Sequence, residues 1–167
     1  GAFERERPWG LMYQRKPENG SWTDPIKLVD PQGPAAYTQF ENALHISQDG
    51  TLILAFHIVR ADENDHAQLA GRGFGLMCSR DGGDSWETVQ GEKFALPAVP
   101  GSRCVLEFDE SLDVRIGNPV SDSQGNPYFT LNRREGKLSE TFLYRWESRS
   151  DSWEITPLQP ESKKLFG

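Results

Sequence analysis

Histidine, cysteine and methionine are scarce in this chain: three, two and two residues among 167. Cys78 and Cys104 lack metal-ligand spacing, and both read as ordinary buried thiols, with a disulfide between them as the alternative. No spacing implies a metal or an organic cofactor. Long apolar runs are missing as well. Leu52 to Phe56 is the longest, far short of the roughly 20 residues a membrane helix needs. A basic surplus is absent, the net charge being −7, which argues against a nucleic-acid groove and against an anionic membrane surface. The first residues, Gly1-Ala2-Phe3-Glu4-Arg5-Glu6-Arg7, carry no apolar signal region. A cleaved signal, or a cut inside a longer chain, leaves the same picture. No stretch sustains a helical period of apolar residues.

Aromatic residues (11%), 16 glycines and 11 prolines suit an all-β chain with many turns. The organising stretch is Ser79-Arg80-Asp81-Gly82-Gly83-Asp84-Ser85-Trp86, a turn between two apolar segments. Asp-Gly between such segments signals a hairpin, because glycine reaches positive φ without a Cβ clash. An aspartate ahead of the glycines accepts hydrogen bonds from its own turn. Trp22, Trp86 and Trp153 recur 64 and 67 residues apart, each closing a similar segment. His45 to His57 (strand, Asp-Gly turn, strand) recurs as Asn118 to Asn132.

The repeat predicts four-stranded antiparallel units. Strands are expected at about 42–47, 51–57, 73–79 and 86–89, then at about 115–121, 127–132, 140–146 and 153–158. Residues 8–29 form half a unit, 40–90 a full one and 103–160 another. Such a repeat points to a β-propeller of four-stranded blades, incomplete in this chain, with an antiparallel β-sandwich as the alternative. About two and a half blades predict either a segment of a longer propeller, whose remaining blades complete the ring, or self-association. The connections 30–41, 58–72, 90–114 and 133–139 are expected as long loops on one side, where function concentrates.

That side holds the candidate residues. His57 and Arg60 are candidate catalytic groups. Arg115, Arg134, Glu41 and Asn118 are candidate ligand contacts, because a guanidinium forks onto carboxylate or sulfate. Tyr37, Gln39 and Asn42 reach the same side, as do the acids at 62, 63 and 65 and His66. Ordinary structural roles compete at each: Arg133-Arg134 as a solvated loop, His57 as a strand-end residue, His45 as a rim or core residue.

Ser79, Asp81, Gly83 and Trp86 match the Asp-box, the repeat signature of the sialidase (neuraminidase) superfamily, and Leu44 to Phe56 is similar to an early blade of bacterial sialidases. Arg115 to Pro119 resembles the entry to a later blade. The resemblance covers most of residues 40–158. It implies a sialidase-like, BNR-repeat propeller, with the Asp-box structural. It also implies a secreted or periplasmic carbohydrate-active protein that binds or hydrolyses a glycan, as an exo-glycosidase if it is an enzyme. The sialidase arginine expected near 40–42 is replaced by Phe40-Glu41-Asn42, and no acid/base aspartate or Tyr–Glu pair has a match. The alternatives are a non-catalytic module binding glycan or protein, and a polysaccharide lyase using His, Tyr and Arg.

Overall fold

The computed structural model describes residues 9–33, 36–38, 44–61 and 69–158. Among them the chain is all-β, with three antiparallel sheets, none closed on itself. β1 (Leu11–Tyr13) pairs with β2 (Ile26–Val29). The second sheet begins with two short strands, β3 (Tyr37–Thr38) and β4 (Leu44–Ile46). Both lie on β5 (Leu52–Ala61), which is followed by β6 (Leu69–Ser79) and β7 (Val105–Phe108). The third sheet repeats the plan. β8 (Val114–Ile116) and β9 (Val120–Ser121) lie on β10 (Pro127–Glu135), followed by β11 (Leu138–Glu147) and β12 (Ser152–Leu158). Each full sheet is thus a meander with a divided leading strand. This order fits the expected blades of an incomplete propeller.

The turns form where Asp-Gly and Gly-Asn predict them. Between β4 and β5, Asp49 Oδ1 accepts Thr51 N–H at 3.0 Å and the Ser47 hydroxyl at 2.5 Å. Between β9 and β10, Asp122 Oδ1 accepts the N–H groups of Gln124 and Asn126 at 2.8 and 3.0 Å. Both turns are closed by a glycine at positive φ, Gly50 and Gly125.

The strands depart from expectation in three places. The predicted strand 86–89 is reduced to isolated bridges from Glu87 to Cys78 and Lys93, and β7 takes the fourth position alongside Gly73 to Gly75. Pro97 and Pro100 lack the N–H that would continue a ladder. The intervening chain instead crosses to β2, where Ala98 N–H donates to Leu28 O at 2.8 Å. The expected loop 133–139 is a tight hairpin around Gly136, with strand pairing out to Glu135 and Leu138. The loop expected at 58–72 is shortened at both ends, since β5 reaches Ala61 and β6 starts at Leu69.

The core has two parts, one on each face of the second sheet. Leu52, Leu54, Phe56 and Ile58 of β5 pack with Leu28, Val29, Met77 and Trp86 toward the first sheet. Ile53 and Ala55 pack with Phe74, Leu76, Val114, Ile116, Phe129 and Leu131 toward the third. Hence β5 reads as a continuous apolar run rather than an alternating one: a strand covered on both faces has no solvent side. Edge-to-face ring contacts link the sheets, with Phe74 and Phe129 centroids 6.2 Å apart and Phe74 and Tyr144 5.5 Å. Cys78 and Cys104 are free, buried thiols, and burial raises them to about 11 and about 12.

Candidate functional site

The divided leading strands create the site. Leu44 pairs with Leu54 and Thr38 with Ile58, so His57 lies where β5 runs between the two halves. In the third sheet Gly117-Asn118-Pro119 makes the matching break between β8 and β9. Glycine is required there, since a Cβ on Gly117 would sit 2.3 Å from Thr130 Oγ1. The leading strands of the two sheets are neighbours: His45 Nε2 and Ser121 Oγ are 3.0 Å apart.

His57 is buried, 9% exposed, and its Nδ1 meets no hydrogen-bond partner among the described residues. Burial, and second to it the charge of Arg115, lowers its pKa to about 4, so the imidazole is neutral at pH 7. Arg115 is exposed on β8, and its neighbours Val114 and Ile116 point into the core. Asn118 is exposed in the strand break. The charge of Arg115 is thus felt at His57, and Asn118 lies two residues beyond the end of β8.

Arg60 is directed elsewhere. It forms an ion pair with Glu110, donates to Pro31 O at 3.0 Å and lies 4.9 Å from the Phe108 ring centroid. These contacts tie the 30–33 segment to the end of β7. Arg134 is on β10 rather than in a loop, and its backbone N–H donates to Asp113 O at 2.8 Å. Its neighbour Arg133 is no solvated loop residue either: Nη2 lies 2.6 Å from both Glu107 oxygens, joining the second and third sheets. Glu41, Gln39, Asn42, the acids at 62, 63 and 65 and His66 lie outside the described residues.

The Asp-box is a self-contained clamp. Asp81 accepts the Ser85 hydroxyl at 2.6 Å, Ser85 N–H at 2.9 Å and the Ser79 hydroxyl at 2.8 Å. These bonds, the Ser85 hydroxyl first, hold its carboxyl well below the usual carboxylate range. Gly83 N–H donates to Ser79 Oγ at 2.8 Å. Trp86 is 2% exposed and meets Tyr13 edge-on at 5.6 Å. Tyr13 and Arg15 both donate to Gly82 O, at 3.0 and 2.8 Å, so the box anchors the first sheet to the second. Trp153 packs in the same way on Phe129 and Trp146. Trp22 is 61% exposed, because β2 starts only at Ile26 and leaves Trp22 in the connection.

A cleft of about 310 Å³ lies between the turns at Gln48-Asp49 and Asp122 to Gly125. The Asp49 and Asp122 carboxylates of this cleft both accept bonds within their own turns. No group of three metal-ligating side chains occurs among the described residues.

Sequence reading reached Asn132 as the counterpart of His57 but missed its partners Ser139 and Thr141. The Asn132 amide donates to Ser139 Oγ at 2.8 Å and Thr141 Oγ1 at 3.2 Å. The signal was present in the recurrence that ends at His57 and Asn132, but not in the hairpin register that places the hydroxyls.

No family model matches the chain, and no curated protein matches it. Two solved structures of a polysaccharide lyase, a PL25 ulvan lyase, are similar in fold. One, bound to -[GlcA(1-4)Rha3S]-, has a TM-score of 0.68 at 18% identity. The other has a TM-score of 0.70 at 17% identity. Each comparison covers 91% of this chain and 39% of the lyase, so the chain spans about two-fifths of the length of the proteins it resembles. At this identity the likeness establishes the all-β fold. The two structures are lyases rather than sialidases, and nothing in these comparisons supports the sialidase-specific part of the resemblance.

Proposed function

We propose that the chain contributes to a carbohydrate-active protein of the polysaccharide-lyase kind, acting on a uronate-containing polymer. The observation that carries this reading is His57: buried, neutral, with Nδ1 unpartnered among the described residues, and beside the Arg115 cation. A lyase needs a neutral base for the proton next to the uronate carboxylate, and a cation for the charge that develops on that carboxylate. In the proposed step, the C5 proton passes to the imidazole. The C4–O4 bond breaks as the C4=C5 double bond forms, and the departing oxygen takes its proton from solvent water, His57 later returning the C5 proton to solvent. Arg115 holds the carboxylate. Its charge then no longer opposes protonation of His57, so ligand binding strengthens the base. The fold likeness to a lyase bound to a uronate-containing glycan agrees with this reading. A polymeric substrate fits a secreted or periplasmic location.

The test is the ultraviolet absorbance of the unsaturated product released from uronate polymers. His57→Ala is expected to lower turnover by about 100-fold or more, and Arg115→Ala to raise KM as well. Turnover untouched by both variants would refute the assignment. The engagement of Arg60 by Glu110 and Pro31 favours a second reading, a glycan-binding module without turnover, since it leaves His57 without the second candidate catalytic group. Binding that Arg115→Ala weakens, with no product from any polymer, would select that reading.

A further inference from the structure

Most of the described arginines in this acidic chain are committed. Of the ten described, six hold a carboxylate and Arg72 donates to Leu112 O. Among the described residues Arg115, Arg134 and Arg149 have no such partner, and the first two are neighbours. Arg115 pairs with Asn132 across β8 and β10, and Arg134 is two residues further along β10. Side chains at paired and alternate positions share a sheet face, so the two arginines stand on one face as diagonal neighbours, about 7–8 Å apart at the backbone. Like charges so placed repel. The nearest carboxylate along the ladder, Asp113, is ion-paired with neither. Asn132, between them, has its amide occupied by Ser139 and Thr141 and acts as a fixed neutral spacer.

We propose that Arg134 is a second anion-binding position beside Arg115, so that the ligand is a polymer carrying anionic groups on adjacent sugars. The proposal rests on the acidic-glycan reading above and deepens it. Arg115 takes the uronate carboxylate nearest His57. Arg134 takes the next anion along the polymer, a sulfate or a second carboxylate, by the same guanidinium fork. The anion relieves the repulsion between the two guanidinium groups, which among the described residues only the unpaired carboxylate of Asp113, across the ladder from Arg134, is placed to offset.

Affinity electrophoresis with chondroitin sulfate and with chemically desulfated chondroitin tests this without requiring turnover. For a sulfate at Arg134, the chain binds the sulfated polymer about 10-fold more tightly. Arg134→Ala then removes that margin and leaves binding of the desulfated polymer unchanged. For a carboxylate at Arg134, the variant weakens both polymers alike. Arg149→Ala, which removes another unpaired arginine at the β11–β12 turn, leaves both affinities intact. Asp113→Asn tightens binding. The proposal is overturned if Arg134→Ala keeps wild-type affinity for both polymers, or if Arg149→Ala reduces binding as much, because net charge alone would then be responsible. Binding of neither polymer overturns it together with the reading on which it rests. Loss of product without loss of binding strikes only the lyase reading. Arg134 is exposed, so an unchanged melting temperature confirms that the variant is folded.

Discussion

His57 joins stability to pH. Its folded pKa is about 4, against 6.5 unperturbed. Between those values the unfolded chain binds the proton and the folded chain does not, so stability falls as the pH drops from 6.5 toward 4 and is unaffected by this group above that window. At 1.36 kcal/mol per unit the loss approaches about 3 kcal/mol. Asp81 works in the opposite sense and at lower pH, since its depressed carboxyl loses its contribution only as acid protonates it. His57→Gln is therefore expected to flatten the pH dependence between 6.5 and 4, read as urea midpoints at several pH values. A slope unchanged from wild type would mean that another group carries it. Little of this was legible in the sequence. His57 was visible as a histidine at the end of an apolar run, but its burial depends on the third sheet, whose approach no local pattern encodes. The same holds for the arginines: twelve are countable in the sequence, but which find carboxylates is decided largely by contacts as far as 69 residues away.

At the scale of an element, the turns were the most legible part. Ser-x-Asp-x-Gly chemistry is local, and Asp81, Asp49 and Asp122 accept backbone N–H groups as their spacing predicts. The glycines in these turns are nevertheless unequal. Gly50 has φ 85° and open space around it, whereas Gly83 has φ 96° and a Cβ there would sit 2.3 Å from the Tyr13 ring. Gly50→Ala is expected to destabilise by about 1 kcal/mol, the backbone term alone. Gly83→Ala adds the clash and should lose about 3 kcal/mol or more. Equal losses in guanidinium titrations would show that the Tyr13 contact yields freely. Strand ends were less legible. The hairpin at Gly136 was read as a loop because Arg133-Arg134-Glu135 is polar. Those residues sit at the solvent end of β10, where the ladder continues without apolar side chains. The fourth position of the second sheet was read only in part: the expected 86–89 supplies the Glu87 bridge, while β7, the segment that shares the position, was not foreseen.

For the whole molecule, the second sheet is the keystone, with a core on either face. Phe129 is 1% exposed and touches Phe74, Tyr144 and Trp153. Phe129→Ala is expected to lower stability by about 3–5 kcal/mol. The loss should also appear as faster amide exchange in β5 and β6, not in β10 alone, because the face is shared. Exchange that quickened only in the third sheet would mean that the sheets unfold independently. The repeat made the meanders legible, but the resemblance to sialidases pointed to a chemistry whose residues this chain lacks. Fold and site were encoded at different ranges: turn spacing marks the one, and encounters between sheets make the other.

The two-sided burial of β5 also has a consequence for biogenesis. On the ribosome, domains generally form from the N-terminus onward. Leu52, Leu54 and Phe56 meet their partners in the first sheet early, but Ile53 and Ala55 must wait for Val114 to Leu131 to emerge. Throughout that interval a nascent chain offers one finished apolar face to the cytosol or the translocon. That face is the surface a holding chaperone would be expected to grip, and release would coincide with synthesis of β10.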